Sequence, residues 1–210
     1  MPTEVLLIRH GETDWNASRR WQGRAPVPLN EAGLAQAQAL ARYLAARQVP
    51  IDVLYSSPLP RARQTAQAIA DALGLTVLTD DRLREVDVGD WQGLSHDEIE
   101  AWDGERFAAY LADWYHTPTP NGESRMELQV RARAAFDDIT ARHCGATIAI
   151  VSHGGTLGML LESLLGKIER PSLSNTSITV LKQPVPGQPW ELAAVGLAPH
   201  LNEEPLGETW

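Results

Sequence analysis

Two short apolar runs, each followed by a histidine and a glycine, constrain the fold of this chain more than any other feature. The run at residues 5–8 leads into Arg9 and His10, and the run at residues 147–151 is followed two residues later by His153. Apolar runs of this length, bounded by turn signals, are typical of buried strands in a parallel sheet. Because ligands bind beyond the carboxyl ends of such strands, the sequence predicts that one sheet edge brings both histidines together.

The remainder of the chain alternates between helix-like and strand-like patterns. The helix-like segments lie at about 31–47, 58–74, 126–143 and directly after His153. The strand-like runs lie at 53–55, 77–78, 178–181 and 192–195. This alternation predicts an α/β fold, a three-layer α/β/α arrangement with a mostly parallel central sheet.

Single residues give finer expectations for some elements. Leu34 continues the apolar spacing of the first long helix, so we expect it on the buried face. The segment 56–58, Ser-Ser-Pro, predicts the start of the second helix with a serine N-cap, and Gly74 predicts its end. Cys144 is expected to be a small, partly buried residue, and the tail after Pro199 to be loose.

Residues 86–123 differ in character from the rest of the chain. They are aromatic and acidic, and glycines, Thr-Pro and Asn-Gly interrupt them. Such breaks are typical of loops and short elements. We predict that this segment is an inserted cap, helical in part, over the edge of the sheet. The whole chain, residues 1–210, is then a single domain, because its length suits one hydrophobic core.

Composition limits the classes of partner and the compartment. The net charge of −9 argues against nucleic acid or an anionic membrane as the main partner. The single cysteine permits no internal disulfide, and no stretch has the length of a membrane span. The N-terminus lacks the basic region of a signal peptide, so the expected location is the cytoplasm. The sequence does not determine the oligomeric state, and a homodimer stays open.

Two arginines lie where helix electrostatics disfavour them. Arg61 and Arg63 fall in the first turns of the second helix, where the macrodipole repels a cation by about 0.3–1 kcal/mol. Both side chains could simply point into solvent at a tolerated cost. A bound phosphate would make the position favourable, since helix N-termini and guanidinium groups both attract it. With Arg9 and His10 predicted on a neighbouring strand end, an anion site is the better interpretation.

Seven sequence blocks together resemble one known family. In chain order they are 9–13, 15–16, 20–23, 56–66, 83–85, 122–124 and 152–156. The first is Arg-His-Gly-Glu-Thr and the last is Ser-His-Gly-Gly-Thr. Their types and order resemble the histidine phosphatase superfamily, which has the phosphoglycerate-mutase-like fold, and they span most of the chain.

The resemblance implies catalytic roles for two residues. His10 would be the nucleophile that takes the phosphoryl group onto a ring nitrogen. Glu85 would donate a proton to the leaving oxygen and then activate water as a base. Neutral imidazole is a good nucleophile at pH 7, and a neighbouring guanidinium favours that neutral form.

The resemblance also implies a set of groups that hold the phosphoryl oxygens. Arg9, Arg61 and His153 would clamp these oxygens, Asn16 would add a hydrogen bond, and Gly154 would let the backbone approach. Phosphoryl transfer depends mainly on positioning and charge stabilisation, which fixed cations supply. We therefore expect no metal and no cofactor, in keeping with the absence of zinc-ligand, nucleophile-elbow and Walker-type motifs from the sequence.

The acidic character of the cap favours a phosphatase over a mutase. A phosphoglycerate mutase must hold a second anionic group, and its relatives resemble one another in a basic stretch after the glutamate. Across residues 86–124, Arg106 is the only lysine or arginine, against nine aspartates and glutamates. Such a cap should repel a second phosphate and admit a neutral or apolar group. Arg19, Arg20 and Arg24 weaken this argument, since the early loop could still supply positive charge.

Three functions therefore stay open. The favoured one is a metal-independent phosphomonoester hydrolase that acts through phosphohistidine on a small phosphorylated metabolite. A phosphoglycerate mutase is the runner-up, and a non-catalytic protein that binds phosphorylated ligands is the third. The family often has an acidic residue where this chain has Pro26, and commonly an arginine where it has Gly158. Because of these differences, the substrate of a relative cannot simply be assigned to this chain.

Aromatic residues and the remaining histidines are less informative. The tryptophans of the early loop and the cap could line an aromatic pocket or simply pack the cap, and both interpretations stay open. They are Trp15, Trp21, Trp91, Trp102 and Trp114. His96, His116 and His143 lie in no motif, and we assign them no role.

Overall fold

Six strands form one sheet in the computed structural model, which describes residues 1–166 and 172–201. The strands are β1 Thr3–Arg9, β2 Val53–Ser56, β3 Val77–Thr79, β4 Thr147–Ser152, β5 Ile178–Gln183 and β6 Glu191–Leu197. Their order across the sheet is β3-β2-β4-β1-β5-β6. The first four of these run parallel, whereas β5 is antiparallel to β1 and β6 is antiparallel to β5.

Six α-helices accompany the sheet within the described ranges. They are α1 Asp14–Ala17, α2 Glu31–Ala46, α3 Pro60–Leu73, α4 His96–Ala112, α5 Arg125–Arg142 and α6 Gly154–Leu165. No helix among the described residues is long and apolar enough to cross a membrane.

The alternation of side chains along β1 explains the layers. Leu6 and Ile8 pack in one buried cluster with residues of α2 and α3, and Val5 and Leu7 pack in a second cluster with residues of α5 and α6. Successive side chains of a strand point to opposite faces, so a strand with both faces apolar must be covered by helices on each side. The predicted three-layer α/β/α fold with a mostly parallel sheet is thereby confirmed.

The register of the two central strands places their following residues side by side. β1 and β4 are parallel neighbours, and Arg9 is paired with Ser152. The backbone N–H of His10 donates to the carbonyl oxygen of Ser152 at 3.0 Å. His10 and His153 therefore leave the sheet at the same level, as the two apolar runs predict.

Residues 86–123 contain α4 and form small apolar clusters of their own. One cluster contains Trp91, which is fully buried, and Ile99, Phe107 and Tyr110, with Trp21 of the early loop packed against it. These contacts join the segment to the early loop. That the chain is one domain with this segment as a cap stays a prediction.

Several finer expectations need correction. Helix α3 begins at Pro60 and its N-cap is Leu59, which has no side chain that could cap, so the segment 56–58 is not the helix start. Leu34 is exposed, because residues 33, 37, 40, 41 and 44 of α2 face the sheet instead. Cys144 is exposed rather than partly buried. Of the tail after Pro199, residues 202–210 lie outside the described residues.

The loop that follows β1 packs closely against the first turn of α2, and two glycines make this close approach possible. A side-chain carbon on Gly11 would lie 2.6 Å from the carbonyl oxygen of Gly33, and one on Gly33 would overlap the carbonyl oxygen of Glu12. The backbone N–H of Glu12 donates to Gln36 of α2 at 2.9 Å, and that of Gly11 donates to Thr65 of α3 at 3.0 Å. This close packing fixes the backbone beside His10.

Replacing Gly33 by alanine should therefore destabilise the protein. We expect Gly33→Ala to lower the free energy of unfolding by about 1–3 kcal/mol, because the added methyl group meets backbone that cannot give way. Gly104→Ala is the matched control, since a side-chain carbon there meets nothing within 4 Å. Its effect should stay within about 1 kcal/mol. Urea denaturation of both variants measures this, and equal stabilities would contradict the role given to Gly33.

Candidate active site

His10, the residue after β1, is fixed in one orientation by its own backbone neighbour. Its Nδ1 lies 2.6 Å from the carbonyl oxygen of Gly11, so Nδ1 carries the proton and Nε2 keeps its lone pair. The Nε of Arg61 donates to that Nε2 at 3.3 Å. Burial, followed by the charges of Arg61 and Arg9, holds the pKa of His10 well below its ordinary value. The ring is therefore neutral, and its Nε2 lone pair accepts the bond from Arg61.

Arg61, near the start of α3, is a buried cation that backbone carbonyls hold in place. Its side chain is 1 % exposed. Nη1 donates to the carbonyl oxygen of Ala25 at 2.9 Å and Nη2 to that of Gly23 at 2.8 Å. Burial lowers the pKa of Arg61 to about 10, and the Arg9 charge also lowers it while Glu85 opposes the shift. The group thus stays charged at neutral pH.

Arg9, the last residue of β1, presents part of its guanidinium group without a protein partner. Nη1 donates to the carbonyl oxygen of Leu173 at 2.6 Å, whereas Nε is buried and bonds to nothing among the described residues. Gly154 faces this side chain, since a carbon on it would lie 3.5 Å from that Nε. Burial lowers the pKa of Arg9 and the Glu85 charge partly restores it. A buried donor of this kind requires an acceptor to offset its desolvation.

His153, the residue after β4, lies against His10 with the ring centroids 5.1 Å apart. Its Nε2 is 2.8 Å from Ser57 Oγ, which also accepts a bond from the N–H of Leu59. When the serine hydroxyl donates to Nε2, the ring proton is on Nδ1; in the other tautomer Nε2 donates to the serine oxygen. That Nδ1 is buried and has no partner among the described residues. Burial, then Arg61, holds the pKa of His153 well below its ordinary value.

Glu85 lies at the same sheet edge and is held by three donors. Oε2 accepts from the backbone N–H of Gly155 at 2.9 Å, and Oε1 accepts from the N–H of Val86 at 2.9 Å and from Thr156 Oγ1 at 3.2 Å. A side-chain carbon on Gly155 would collide with the carboxylate, so the glycine is required for Glu85 to occupy this place. Glycine 155 thus serves the carboxylate, whereas glycine 154 faces Arg9.

Asn16, in α1, lines the cavity next to His10, and its amide nitrogen has no partner among the described residues. Its Oδ1 accepts from the backbone N–H of Thr13 at 3.2 Å and from Asn175 Nδ2 at 3.4 Å. Asn175 also donates to the carbonyl oxygen of His10 at 2.9 Å. Asn175 therefore links the backbone of His10 to Asn16, from which it is 159 positions away in the sequence. No motif in the sequence points to Asn175.

The residues predicted for the site therefore lie together. Six of the seven line a cavity of about 360 Å³ at the sheet edge, and His153 contacts His10 directly behind it. The six are Arg9, His10, Asn16, Arg61, Glu85 and Gly154.

A second cavity of about 510 Å³ adjoins the first and has aromatic walls. Arg9, Trp21 and Gly154 line both cavities, and Tyr110, Trp114 and Met159 are among the residues that line the second. Trp21 packs on Trp91 with ring centroids 5.7 Å apart. Both interpretations of the tryptophans thus apply, to different residues: Trp21 and Trp114 line the cavity, whereas Trp91 is buried packing.

Two residues that the sequence left without a role also line both cavities. They are His96, the first residue of α4, and Arg125, the first residue of α5. Arg125 lies one position beyond the segment whose charge was counted, and no motif marks His96. Each is the first residue after a serine that caps a helix, and only the folded cap brings them to the site.

Two arginines of the early loop form ion pairs with carboxylates of the acidic cap segment. Arg20 pairs with Glu98 at 2.6 Å, and Arg24 pairs with Asp87 at 3.2 Å and with Glu123 at 3.5 Å. These pairs connect the loop to the cap segment. Among residues 1–166 and 172–201, no group of three or more histidines, cysteines, aspartates and glutamates is arranged to hold a metal ion.

Comparisons with known proteins agree with this geometry. The sequence shares 40% identity with phosphoglycerate mutase-like protein 4 of Arabidopsis thaliana, over 95% of this chain and 87% of that protein. It shares 35% identity with the probable phosphoglycerate mutase GpmB of Yersinia pestis (strain Pestoides F), over 98% of each.

Solved structures of similar proteins have the same fold. Bacillus stearothermophilus YhfR superposes with a TM-score of 0.85 and 34% identity, over 95% of this chain and all of that one. The alpha-ribazole phosphatase of Shigella flexneri superposes with a TM-score of 0.84 and 28% identity, over 93% of this chain and 96% of that one. The pattern of the histidine phosphatase superfamily (branch 1) matches residues 5–195. The chain therefore belongs to the histidine phosphatase superfamily.

Proposed function

We propose that this protein is a metal-independent phosphomonoester hydrolase that acts through a phosphohistidine on a small phosphorylated metabolite. The observation that carries the proposal is the neutral His10 ring, whose Nε2 lies against the buried Arg61 with the half-buried Arg9 nearby. A neutral nucleophile beside fixed cations is the arrangement that attack on a phosphate dianion requires. The proposed reaction takes place in the cytoplasm, which suits a chain with one cysteine.

In the first step, the lone pair of His10 Nε2 attacks phosphorus and the ester P–O bond breaks. Arg9 Nε and His153 Nδ1, two buried atoms that have no hydrogen-bond partner among the described residues, donate to the phosphoryl oxygens. Arg61 supplies charge, and the Asn16 amide adds a hydrogen bond. The Glu85 carboxyl group gives a proton to the leaving oxygen.

In the second step, water attacks the phosphorus of phosphohistidine. The Glu85 carboxylate takes the proton from water, the N–P bond breaks, and His10 regains its lone pair. One ester and one water give one alcohol and one phosphate, and the enzyme returns to its first state. The aromatic cavity beside Glu85 would hold the alcohol part of the ester.

A phosphoglycerate mutase is the second candidate, because two similar proteins carry that name. The two reactions share the first step and differ in whether water or a bound phosphoglycerate takes the phosphoryl group. Interconversion of 2- and 3-phosphoglycerate, measured with 2,3-bisphosphoglycerate added, distinguishes them. If interconversion is faster than phosphate release, the protein is a mutase and the hydrolase proposal is wrong.

His10→Ala should abolish phosphate release, because it removes the group that forms the covalent bond. The assay uses 4-nitrophenyl phosphate with EDTA present, and wild-type activity should survive the chelator. Circular dichroism confirms that the variant is folded. Loss of wild-type activity with EDTA would contradict metal independence, and substantial turnover by the variant would mean that another residue is the nucleophile.

Glu85→Gln should slow alkyl phosphates far more than activated aryl phosphates. Only a poor leaving group needs a proton from the enzyme, so we expect a loss of about 10²–10⁴-fold for an alkyl phosphate and a much smaller loss for 4-nitrophenyl phosphate. Steady-state kinetics on both substrates measures the difference. Equal losses would remove Glu85 from the role of proton donor.

The neutral state of His10 should also make stability depend on pH. Below about pH 6.5 the unfolded chain protonates this histidine and the folded protein does not, so stability falls as pH falls. Between pH 6.5 and 5, His10→Gln should lose less stability than the wild type, by up to about 1.4 kcal/mol per pH unit. Urea denaturation at both pH values tests this, and parallel losses would mean that His10 is protonated in the folded state.

A further inference from the structure

Arg125 lines the candidate active site, and its side chain has no hydrogen-bond or ion-pair partner among the described residues. Its guanidinium group lines both the catalytic cavity and the aromatic cavity. Neighbouring arginines are engaged: Arg20 and Arg24 pair with carboxylates, and Arg61 bonds to carbonyl oxygens. Arg125, by contrast, forms no hydrogen bond or ion pair within residues 1–166 and 172–201. It is also the first residue of α5, where the helix dipole disfavours a cation.

The position of Arg125 relates it to the leaving group rather than to the phosphoryl oxygens. A side-chain carbon on Gly155 would lie 2.5 Å from Glu85 Oε1 and 2.6 Å from Arg125 Nη1. The guanidinium group and the carboxyl group therefore flank the same small space. Because Glu85 is the proposed proton donor to the ester oxygen, Arg125 lies beside the atoms attached to that oxygen.

The other end of the aromatic cavity has the opposite charge. Glu162 lines this cavity and lies two turns along α6 from Gly155, about 10 Å at the usual rise of a helix. Gly158 lies between them, and a side-chain carbon there would meet nothing within 4 Å. The cavity thus has two arginines, Arg9 and Arg125, beside Gly154 and Gly155, which we call its inner end, and a carboxylate about two helical turns away. An anionic group on the substrate is favoured only at the inner end.

We propose that Arg125 binds a carboxylate on the leaving group and so selects phosphomonoesters that carry one close to the ester oxygen. This inference rests on the proposed function. A carboxylate fits better than a second phosphate, because one guanidinium balances one negative charge and makes two parallel bonds with its planar oxygens. A second dianion would stay uncompensated in a cavity that also holds Glu162.

A carboxylate at Arg125 differs from the expectation that the cap should admit a neutral or apolar group. That expectation counted charge up to residue 124, and the cation that faces the cavity is the next residue. Trp21, Trp114 and Met159 still offer apolar walls to the rest of the leaving group. The substrate class is therefore a phosphomonoester with a carboxylate near the phosphate and an uncharged remainder.

Two substrates of matched size test the proposal: 3-phosphoglycerate and glycerol 3-phosphate, which differ in a carboxylate against a hydroxymethyl group. We expect the wild type to prefer 3-phosphoglycerate in kcat/KM. Arg125→Gln should reduce that preference at least about tenfold, mainly through KM, since a bidentate charged pair contributes about 1.5–3 kcal/mol. Arg125→Lys should retain part of the preference.

Arg106→Gln is the control for loss of a nearby positive charge. Arg106 pairs with Asp103 on α4 and lines neither cavity, so its removal should leave the preference unchanged. If Arg125→Gln shows the same ratio of kcat/KM for the two substrates as the wild type, the inference is overturned. The proposed hydrolase function would not be affected by that result. A larger loss for 2,3-bisphosphoglycerate than for 3-phosphoglycerate would assign Arg125 to a phosphate instead. No phosphate release from any of these esters by the wild type would overturn the proposed function as well.

Discussion

The parallel pairing of β1 with β4 is the constraint on which the whole site depends. Pairing Arg9 with Ser152 sends His10 and His153 off the sheet at one level, with their rings in contact. A slip of one residue would turn every side chain of one strand to the other face. Because both faces of β1 are packed under helices, the buried apolar side chains hold the register that the chemistry needs. Stability of the core and geometry of the site are thus the same requirement.

Burial of charge beside the imidazoles is the second consequence of this arrangement. Arg61 and Arg9 are removed from water, and carbonyl oxygens satisfy only part of their donors. Such desolvation is costly unless each donor finds an acceptor. The same burial keeps His10 neutral and leaves unpaired donors around it. The oxygens of a phosphoryl dianion could accept from these donors and so offset this cost.

Local patterns predict the parts of the site that lie on consecutive residues, and the fold decides the rest. Arg9 ends β1, and His10 and His153 directly follow β1 and β4, so short apolar runs are enough to predict that all three lie at one edge. The prediction for Leu34 is wrong because spacing alone does not say which face of α2 meets the sheet. Asn175 lies in no sequence block, and its place at the site depends on long-range packing. Arg125 directly follows the block 122–124, but that block does not indicate that the next side chain lines the site.

The charge of a cavity is likewise a property of unpaired groups and not of composition. The segment 86–124 is strongly acidic in sequence, yet its carboxylates are widely engaged. Glu98 binds Arg20, Asp103 accepts from Trp91 and pairs with Arg106, and Glu123 pairs with Arg131 at 2.6 Å. Once these pairs are removed from the count, three charged side chains line the aromatic cavity without an ion-pair partner in the part of the chain that the structure describes. Arg9 and Arg125 lie beside Gly154 and Gly155, and Glu162 lies two helical turns away. The polarity of that cavity, and not the net charge of the cap, should decide which phosphomonoesters fit.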